Sequence, residues 1–224
     1  MEIFWMSGSP YSWAVLLTLE LKKLEYTPRL LSLSEGDLKT PKFLALNPRG
    51  LTPVMRDGNV VLPESLAILA YMERKAPDPP MFGKTAVETG RIWKFIADCH
   101  NYLKPPVDRL VGPALESHIY GGVDENADDM REAAKIAKRE IGYLEAALTD
   151  RDWLVGAELT AADMVTFPFV LLFERAIEQE SVAPLDLGFG PISQQHPAIR
   201  AWLDRIAALD GFEKTYPPHW RKAA

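Results

Sequence analysis

A proline-rich segment, APDPPMFGKT at residues 76–85, divides this chain into two stretches of different character. Three prolines fall within positions 77–80, and proline lacks the backbone N–H and restricts the residue before it. Helix and strand are therefore disfavoured here, and the segment predicts a connection between domains. Strand and helix patterns alternate before it, whereas helical periodicity dominates after it. We predict an α/β domain over 1–78, a linker over 79–87 and an all-helical domain over 88–224.

The first stretch predicts seven elements in the order β-α-β-α-β-β-α. Short apolar runs favour strands, apolar residues at helical spacing favour helices, and the Asp57-Gly58 pair is typical of a hairpin turn. The predicted strands cover 2–6, 27–33 and the two arms of a hairpin within 52–65, and the predicted helices cover 11–24, 40–47 and 64–76.

The second stretch predicts long helices within 86–104, 127–150, 159–178 and 196–209. Thr160 and Asp163 have the three-residue spacing of an N-terminal capping pair. Apolar residues follow them almost without interruption. The helix that they begin is therefore predicted to form the core of the helical domain.

Composition excludes several classes of partner. The 224 residues carry a net charge of −6 without a long Lys/Arg run, which argues against nucleic acid because phosphate binding needs a basic face. The longest apolar run, FPFVLLF at 167–173, is far shorter than the ~18 residues of a membrane span, so no membrane is expected.

The cysteine and histidine content indicates the cellular compartment and argues against a metal site. The single cysteine, Cys99, cannot form an intrachain disulfide, and the N-terminus shows no secretory signal, so we expect a cytoplasmic protein. The four histidines are scattered without metal-ligand spacing. No metal is expected.

Three short stretches of the first domain suit a small ligand with polar and charged groups. SGSPYSWAV at 7–15 places small hydroxyls where a helix begins, a position that attracts an anion or a thiol. In NPRGLTPVM at 47–55, a cis bond before Pro53 would let Val54 offer its N–H and C=O to a ligand. In LPESLAIL at 62–69, Ser65 and the helix N-terminus suit a carboxylate, and Glu64 suits an ammonium group. An amino acid carries both groups.

Taken together and in this order, these stretches resemble the cytosolic glutathione transferase family over essentially the whole chain. The resemblance rests on Ser-Pro-Tyr-Ser at 9–12, Asn47-Pro48-x-Gly50-x-x-Pro53, Glu64-Ser65-x-Ala67-Ile68 and Leu159-Thr160-Ala-Ala-Asp163. It implies a thioredoxin-like N-terminal domain that holds glutathione and a C-terminal helical bundle that shapes the pocket for a small hydrophobic electrophile. It also implies a role in detoxification and a homodimer.

The resemblance assigns roles to individual residues. Ser9 occupies the position where serine-type members keep a catalytic hydroxyl, and Ser12, one helical turn on, is the second candidate. Glu64 and Ser65 match the pair that holds the γ-glutamyl end of glutathione. The cysteinyl part would pair with Val54, and the predicted contacts beside it are Leu51, Thr52 and Pro53.

One position departs from the family pattern. Many members have a lysine where this chain has Leu51, and that lysine meets the glycine carboxylate of glutathione. Arg49 or Lys39 could take its place. This departure is the main support for the alternative function, a binding or regulatory protein that has the same fold but no transferase activity.

The predicted contacts of the electrophile are Tyr11, His100 and Tyr102. A packing role is the other interpretation of Tyr11, because the tyrosines that some members use as the catalytic hydroxyl lie nearer the first strand. His100 resembles a histidine of bacterial members, and a core or dimer-interface role explains it equally well. Cys99 is expected to be a small buried hydrophobe. A glutathione-dependent disulfide or dehydroascorbate reductase would need a cysteine at the position of Ser9.

Overall fold

The computed structural model describes residues 1–221, which group into two compact units. The first unit contains Met1–Phe82 together with the segment from Ala207 on, and the second contains Gly83–Ile206. Nothing in the local pattern of the sequence indicates that the segment from Ala207 belongs with the α/β unit. The domain limits given above stay a prediction.

The element order of the first stretch is the predicted one. The strands are β1 (Glu2–Trp5), β2 (Thr27–Leu30), β3 (Val54–Asp57) and β4 (Val60–Pro63). The helices are α1 (Pro10–Leu21), α2 (Pro41–Leu44), α3 (Ser65–Lys75), α4 (Ala86–Asp98), α5 (Lys104–Leu115), α6 (Ser117–Tyr120), α7 (Ala127–Leu148), α8 (Ala161–Ile177), α9 (Ile192–Gln195), α10 (Pro197–Ala207) and α11 (Phe212–Thr215). Single 3₁₀ turns lie at Asp37–Lys39, Ala183–Leu185 and Pro218–Trp220, and a π-helical turn lies at Cys99–Leu103.

The sheet of the first unit has the strand order β2-β1-β3-β4. β1 is parallel to β2 and antiparallel to β3, and β3 forms an antiparallel hairpin with β4. α1 packs against α3. This mixed sheet with its helices is the thioredoxin-like arrangement that the resemblance implied.

Several elements are shorter than predicted, and for α1 and β2 the reason is local. α1 ends at Leu21 because Lys23 has a positive φ of 52°, a left-handed conformation that commonly terminates helices. β2 ends at Leu30, and the chain then closes on itself: the Ser32 N–H donates to the Asp37 carboxylate at 2.9 Å, and the Asp37 N–H donates to the Ser32 carbonyl. Such local bonds compete with the sheet ladder.

The proline-rich segment is attached to the first unit by a buried lysine. The Lys22 ammonium donates to the Glu73 carboxylate at 2.8 Å and to the carbonyls of Ala76 and Pro79 at 2.7 and 2.8 Å. Glu73 also accepts from the Met81 N–H. The three donors of one ammonium group therefore hold a segment that proline keeps out of helix and strand.

The second unit is helical, as predicted. α8 is buried along most of its length and packs against α4 and α5, so the prediction that this helix forms a core is confirmed. Its N-cap is Thr160, and the predicted pairing with Asp163 is present.

The helix predicted over 86–104 does not end there. It passes through the π-helical turn Cys99–Leu103 into α5, where Pro105 and Pro106 occupy the first turn. The Lys104 N–H bonds to the Cys99 carbonyl. The wider turn lets the helix continue past two residues that have no N–H to donate. None of the helices within residues 1–221 is both long and apolar enough to cross a membrane.

Candidate active site

Ser9 is the N-cap of α1, as the sequence predicted. Its Oγ accepts a hydrogen bond from the Ser12 N–H at 3.3 Å, and its carbonyl accepts from the Trp13 N–H at 3.0 Å. Ser9 is also largely buried. Because Oγ acts as an acceptor in the cap, the hydroxyl hydrogen stays available for donation to another group.

The other residues of the opening stretch occupy distinct positions. Ser12 is fully buried, and its Oγ lies 3.5 Å from the Met6 nitrogen, on the inner side of the loop. Ser7 points the other way and hydrogen-bonds to His219 at 2.7 Å. Tyr11 is half-buried in the first turn of α1.

The loop before β3 is shaped by a buried asparagine. The Asn47 amide donates to the Leu51 carbonyl at 2.7 Å and accepts from the Arg49 N–H at 3.2 Å. The Thr52–Pro53 peptide bond is cis. Leu51 itself is 58% exposed, so the chain holds its backbone in place and leaves its side chain in solvent.

Strand register brings the three predicted stretches to one end of the sheet. Val54, at the start of β3, pairs with Phe4 of β1 on one side and Pro63 of β4 on the other. Both pairings are antiparallel, so the start of β3 lies beside the ends of β1 and β4. The loop to Ser9 leaves one of these ends, and Glu64 and Ser65 leave the other.

Glu64 and Ser65 begin α3 in an unusual conformation. Glu64 is the N-cap, with φ 73° and ψ 114°, and its side chain makes no capping bond. Its side chain is exposed, whereas Ser65 is buried. The carboxylate therefore faces outward next to the N-terminus of an eleven-residue helix.

Lys39 lies beside the Asn47–Leu51 loop. Gly50 has a φ of 64°, and a Cβ placed on it would come within 3.0 Å of the Leu38 carbonyl oxygen and 3.7 Å of the Lys39 Nζ. Glycine is therefore required at this position, and its small size lets the 3₁₀ turn that carries Lys39 pack close. The Lys39 ammonium group therefore lies beside Gly50, the residue before Leu51. Leu51 is the position at which the family pattern has a lysine.

His100 and Tyr102 lie on the π-helical turn of the second unit. The His100 ring meets Phe169 edge-on with centroids 6.3 Å apart, and burial, followed by the charge of Lys104, lowers the pKa of His100. Tyr102 is exposed and borders a groove of about 600 Å³ between α4 and α7. Cys99 lies at the same groove with only 2% exposure, and burial raises the pKa of its thiol to about 12. This fits the expected buried hydrophobe rather than a reactive thiol.

Comparison with known proteins gives the same family for both parts of the chain. Residues 8–75 match the family described as glutathione S-transferase, N-terminal domain, and residues 109–210 match glutathione S-transferase, C-terminal domain. Glutathione S-transferase 3 of Zea mays is 30% identical over 220 residues, which cover 96% of this chain and 92% of that protein. Glutathione S-transferase A of Pleuronectes platessa is 26% identical over 229 residues, covering 98% and 92% of the two chains.

A solved structure agrees with these sequence relatives. A glutathione S-transferase from the Antarctic clam Laternula elliptica superposes with a TM-score of 0.81 at 28% identity, covering 99% of this chain and 94% of that one. The chain belongs to the glutathione S-transferase family.

Proposed function

We propose that this glutathione S-transferase activates the glutathione thiol through the Ser9 hydroxyl, for attack on a small hydrophobic electrophile. The family and the fold support the transferase activity itself. The observation that supports Ser9 is its cap geometry: Oγ accepts from the Ser12 N–H, which leaves the hydroxyl hydrogen free to donate to sulfur. The N-terminus of a twelve-residue helix adds positive potential at the same point.

The energy required is within reach of these two effects. A free thiol has a pKa of ~8.5, so only a few per cent is thiolate at neutral pH, and the thiolate is the nucleophile. Lowering that pKa by about two units takes roughly 2.7 kcal/mol. A hydrogen bond to a charged acceptor contributes about 1.5–3 kcal/mol, and a helix N-terminus typically adds about 0.3–1 kcal/mol.

The proposed glutathione site is formed by the residues gathered at one end of the sheet. Val54 would pair with the cysteinyl backbone, with Thr52 and Pro53 beside it. Glu64 would meet the γ-glutamyl ammonium group, and Ser65 with the α3 N-terminus would meet the carboxylate.

The glycine carboxylate of glutathione needs a cation that Leu51 does not supply. We assign this role to Lys39, because its ammonium group lies against Gly50, next to the exposed Leu51. Leu51 would then contribute through its backbone, which Asn47 holds. This assignment weakens the main argument for a binding protein without catalytic activity.

The remaining proposals rest mainly on the family. Tyr11, His100 and Tyr102 stay predicted contacts of the electrophile. The family also supports a homodimer. We place the protein in the cytoplasm, because a reducing compartment suits both a glutathione enzyme and the free Cys99 thiol.

Two substitutions at Ser9 test the mechanism. Both substitutions remove the hydroxyl. Ser9→Ala lowers the free energy of unfolding by about 1 kcal/mol through loss of the α1 cap, whereas Ser9→Gly lowers it by only a few tenths of a kcal/mol. In both variants we expect the thiol pKa of bound glutathione, followed by thiolate absorbance against pH, to rise most of the way towards ~8.5, with the α1 N-terminus accounting for what remains of the shift. At neutral pH the thiolate fraction then falls from about three quarters towards about 3%, so kcat/KM should fall by up to about 25-fold.

The control is Ser34→Ala, an exposed serine of the same unit, which should keep the wild-type thiol pKa. An unchanged thiol pKa in both Ser9 variants would rule out this hydroxyl and move the assignment to Ser12. If neither the Ser9 variants nor the wild type turns over any electrophile while glutathione still binds, the alternative of a binding protein is favoured.

A further inference from the structure

The chain from Gly211 to Trp220, which we call the C-terminal strap, runs along α1 in the first unit. At its start, Gly211 has a φ of 86°, and a Cβ there would lie 2.3 Å from the Cβ of Glu20. The Lys214 ammonium then pairs with the Glu20 carboxylate at 2.8 Å, and Glu20 also accepts from the Tyr26 hydroxyl. The strap is thus attached to the C-terminal end of α1.

The middle of the strap surrounds Trp13. The Trp13 ring lies 5.4 to 5.6 Å from the rings of Phe212, Tyr216 and Trp220, and its indole N–H donates to the Thr215 Oγ1 at 3.2 Å. Trp13 is one turn into α1 and 3% exposed. Aromatic contacts of this kind fix the strap against the first turn of the helix, where Ser9 is the cap.

The end of the strap reaches the loop that leads to Ser9. His219 Nδ1 lies 2.7 Å from the Ser7 Oγ, a short hydrogen bond. Gly8 has a φ of 80°, and a Cβ on it would lie 2.7 Å from Cε1 of His219 and 3.3 Å from the Trp220 indole nitrogen. The imidazole therefore packs directly on the backbone of Gly8, the residue before Ser9.

We infer that His219 is a positioning residue for Ser9: by bonding Ser7 and packing on Gly8, it fixes the direction in which the Ser9 hydroxyl donates. This inference rests on the proposed function, in which Ser9 donates to the sulfur of glutathione. On the inner side, the loop is held by the Ser9 N–H donating to the Met6 carbonyl at 3.3 Å and by the bond between Ser9 and Ser12. His219 supplies the constraint on the outer side.

The argument depends on how steeply a hydrogen bond varies with geometry. A hydrogen bond weakens steeply once the angle at its hydrogen falls below ~120°, and a misplacement of about 1 Å in an active site can cost 100-fold in rate. Gly8 is the most permissive residue of the loop, since glycine lacks the Cβ that limits other residues. Without His219 the loop can rotate at Gly8, and the Ser9 hydroxyl then spends less time directed at sulfur.

Four variants of the full-length chain test the inference: Ser7→Ala, His219→Ala, the double variant and His219→Asn. In Ser7→Ala and His219→Ala, the thiol pKa of bound glutathione should rise by about half a unit to one unit, which at a pH of about 5.5, where the thiol is mostly protonated, is a three- to tenfold loss of thiolate. kcat should fall by the same factor, while the glutathione Kd stays within about twofold, because the residues proposed to hold the peptide are untouched.

Two further results separate positioning from general support of the fold. The double variant should be no worse than His219→Ala alone, because the bond lost in Ser7→Ala is already lost when the imidazole is removed. His219→Asn places an amide near the position of Nδ1 and should recover most of the lost kcat. His118→Ala, an exposed histidine of α6 in the second unit, should behave as wild type.

The outcomes distinguish this inference from the function on which it rests. If wild-type protein does not lower the thiol pKa at all, the proposed role of Ser9 is wrong and the role of His219 with it. If wild type lowers the pKa and His219→Ala lowers it equally, only the positioning role is wrong. Additive losses in the double variant, or losses confined to thermal stability with an unchanged thiol pKa, would also overturn it.

Discussion

Glu64 has a backbone conformation that its side chain does not favour. With φ 73° and ψ 114° it lies outside the left-handed helical region, whereas Asp186, at φ 46° and ψ 59°, falls inside it. A conformation of this kind costs about 1–3 kcal/mol and persists where the surrounding structure or a ligand requires it. The strain coincides with the residue proposed to meet the γ-glutamyl ammonium group, and we interpret it as support for that assignment.

Glu64→Gly should separate stability from binding. Glycine relieves strain of about 1–3 kcal/mol but gives the unfolded chain an entropy advantage of about 0.5–1 kcal/mol, so the free energy of unfolding should rise by about 1 kcal/mol. Glutathione at 100 times its Kd adds about 2.7 kcal/mol to the wild type. At the same glutathione concentration, the free energy of unfolding of the variant should rise by less than that. Urea unfolding with and without glutathione measures both quantities.

Ser65→Ala is the matched control, since it removes a proposed ligand contact without relieving strain. It should lose part of the glutathione-dependent gain but show no increase in stability without ligand. A Glu64→Gly variant that keeps the full glutathione-dependent gain would remove Glu64 from the binding site. A large loss of stability would show that its conformation is not strained.

At the scale of elements, two helices of the second unit begin with the same capping pattern in opposite environments. Thr85 is the N-cap of α4, and the half-buried Glu88 accepts from the N–H groups of Lys84 and Thr85 at 2.8 and 3.1 Å. α8 begins at Thr160 with Asp163, which is fully buried. Asp163 accepts from the Leu154 N–H, the Thr160 N–H and hydroxyl, and the Trp202 indole N–H, at 2.9 to 3.1 Å.

Asp163→Ala should therefore destabilise the protein far more than Glu88→Ala. It leaves buried donors without acceptors, which costs about 1–3 kcal/mol for each donor that water cannot reach. We expect a loss of about 3 kcal/mol in the free energy of unfolding, against a much smaller loss for Glu88→Ala, whose donors can bond to water. Chemical denaturation measures both. Asp163→Asn keeps one acceptor oxygen and should lie between the two, and equal losses for Ala at both positions would contradict the argument from burial.

For the molecule as a whole, paired carboxylates in both units make stability depend on pH. In the first unit Asp57 accepts from Lys75 and from the Tyr71 hydroxyl, and Lys75, followed by Tyr71, holds the pKa of Asp57 below its ordinary value of 3.8. In the second unit the guanidinium of Arg109 lowers the pKa of Asp129 in the same way. A carboxyl group with a lowered folded-state pKa contributes stability above its unfolded pKa and loses it as the pH falls through the folded-state value.

The stability difference between wild type and Asp57→Asn should therefore be largest near neutral pH and shrink as the pH falls from about 5 to about 3. Asp129→Asn should behave similarly. Denaturant midpoints measured across this range provide the test. In a Lys75→Met background the pH dependence of the Asp57 effect should become weaker, because Lys75 is its main cause, and an unchanged dependence would contradict this explanation.

Much of the fold followed from signals confined to a few residues. The Ser9 and Thr160 caps and the seven elements of the first stretch each rest on a pattern of a few neighbouring residues. The predicted hairpin is also present, although Asp57 pairs with Val60 and the turn residues are Gly58 and Asn59, one position later than the predicted Asp57-Gly58 pair. Their outcome depends on local backbone chemistry, so the sequence alone predicts them. The three stretches proposed to bind glutathione were found in the same way, from residue types placed at helix and strand ends.

Other features depend on contacts between residues that are far apart in the chain. Neither the strand order β2-β1-β3-β4 nor the strain at Glu64 has a local signature, and the π-helical turn that carries the helix past Pro105 and Pro106 was predicted as a helix end. The bond between Ser7 and His219 joins residues 212 positions apart.

The sequence by itself therefore determined the elements, their caps and the residue types of the site, because these depend on interactions between near neighbours. The tertiary structure decided which of those residues meet and how the loop carrying Ser9 is held. Register and packing select among the many ways in which the same elements could be assembled, and that selection is made by the whole chain rather than by any segment of it.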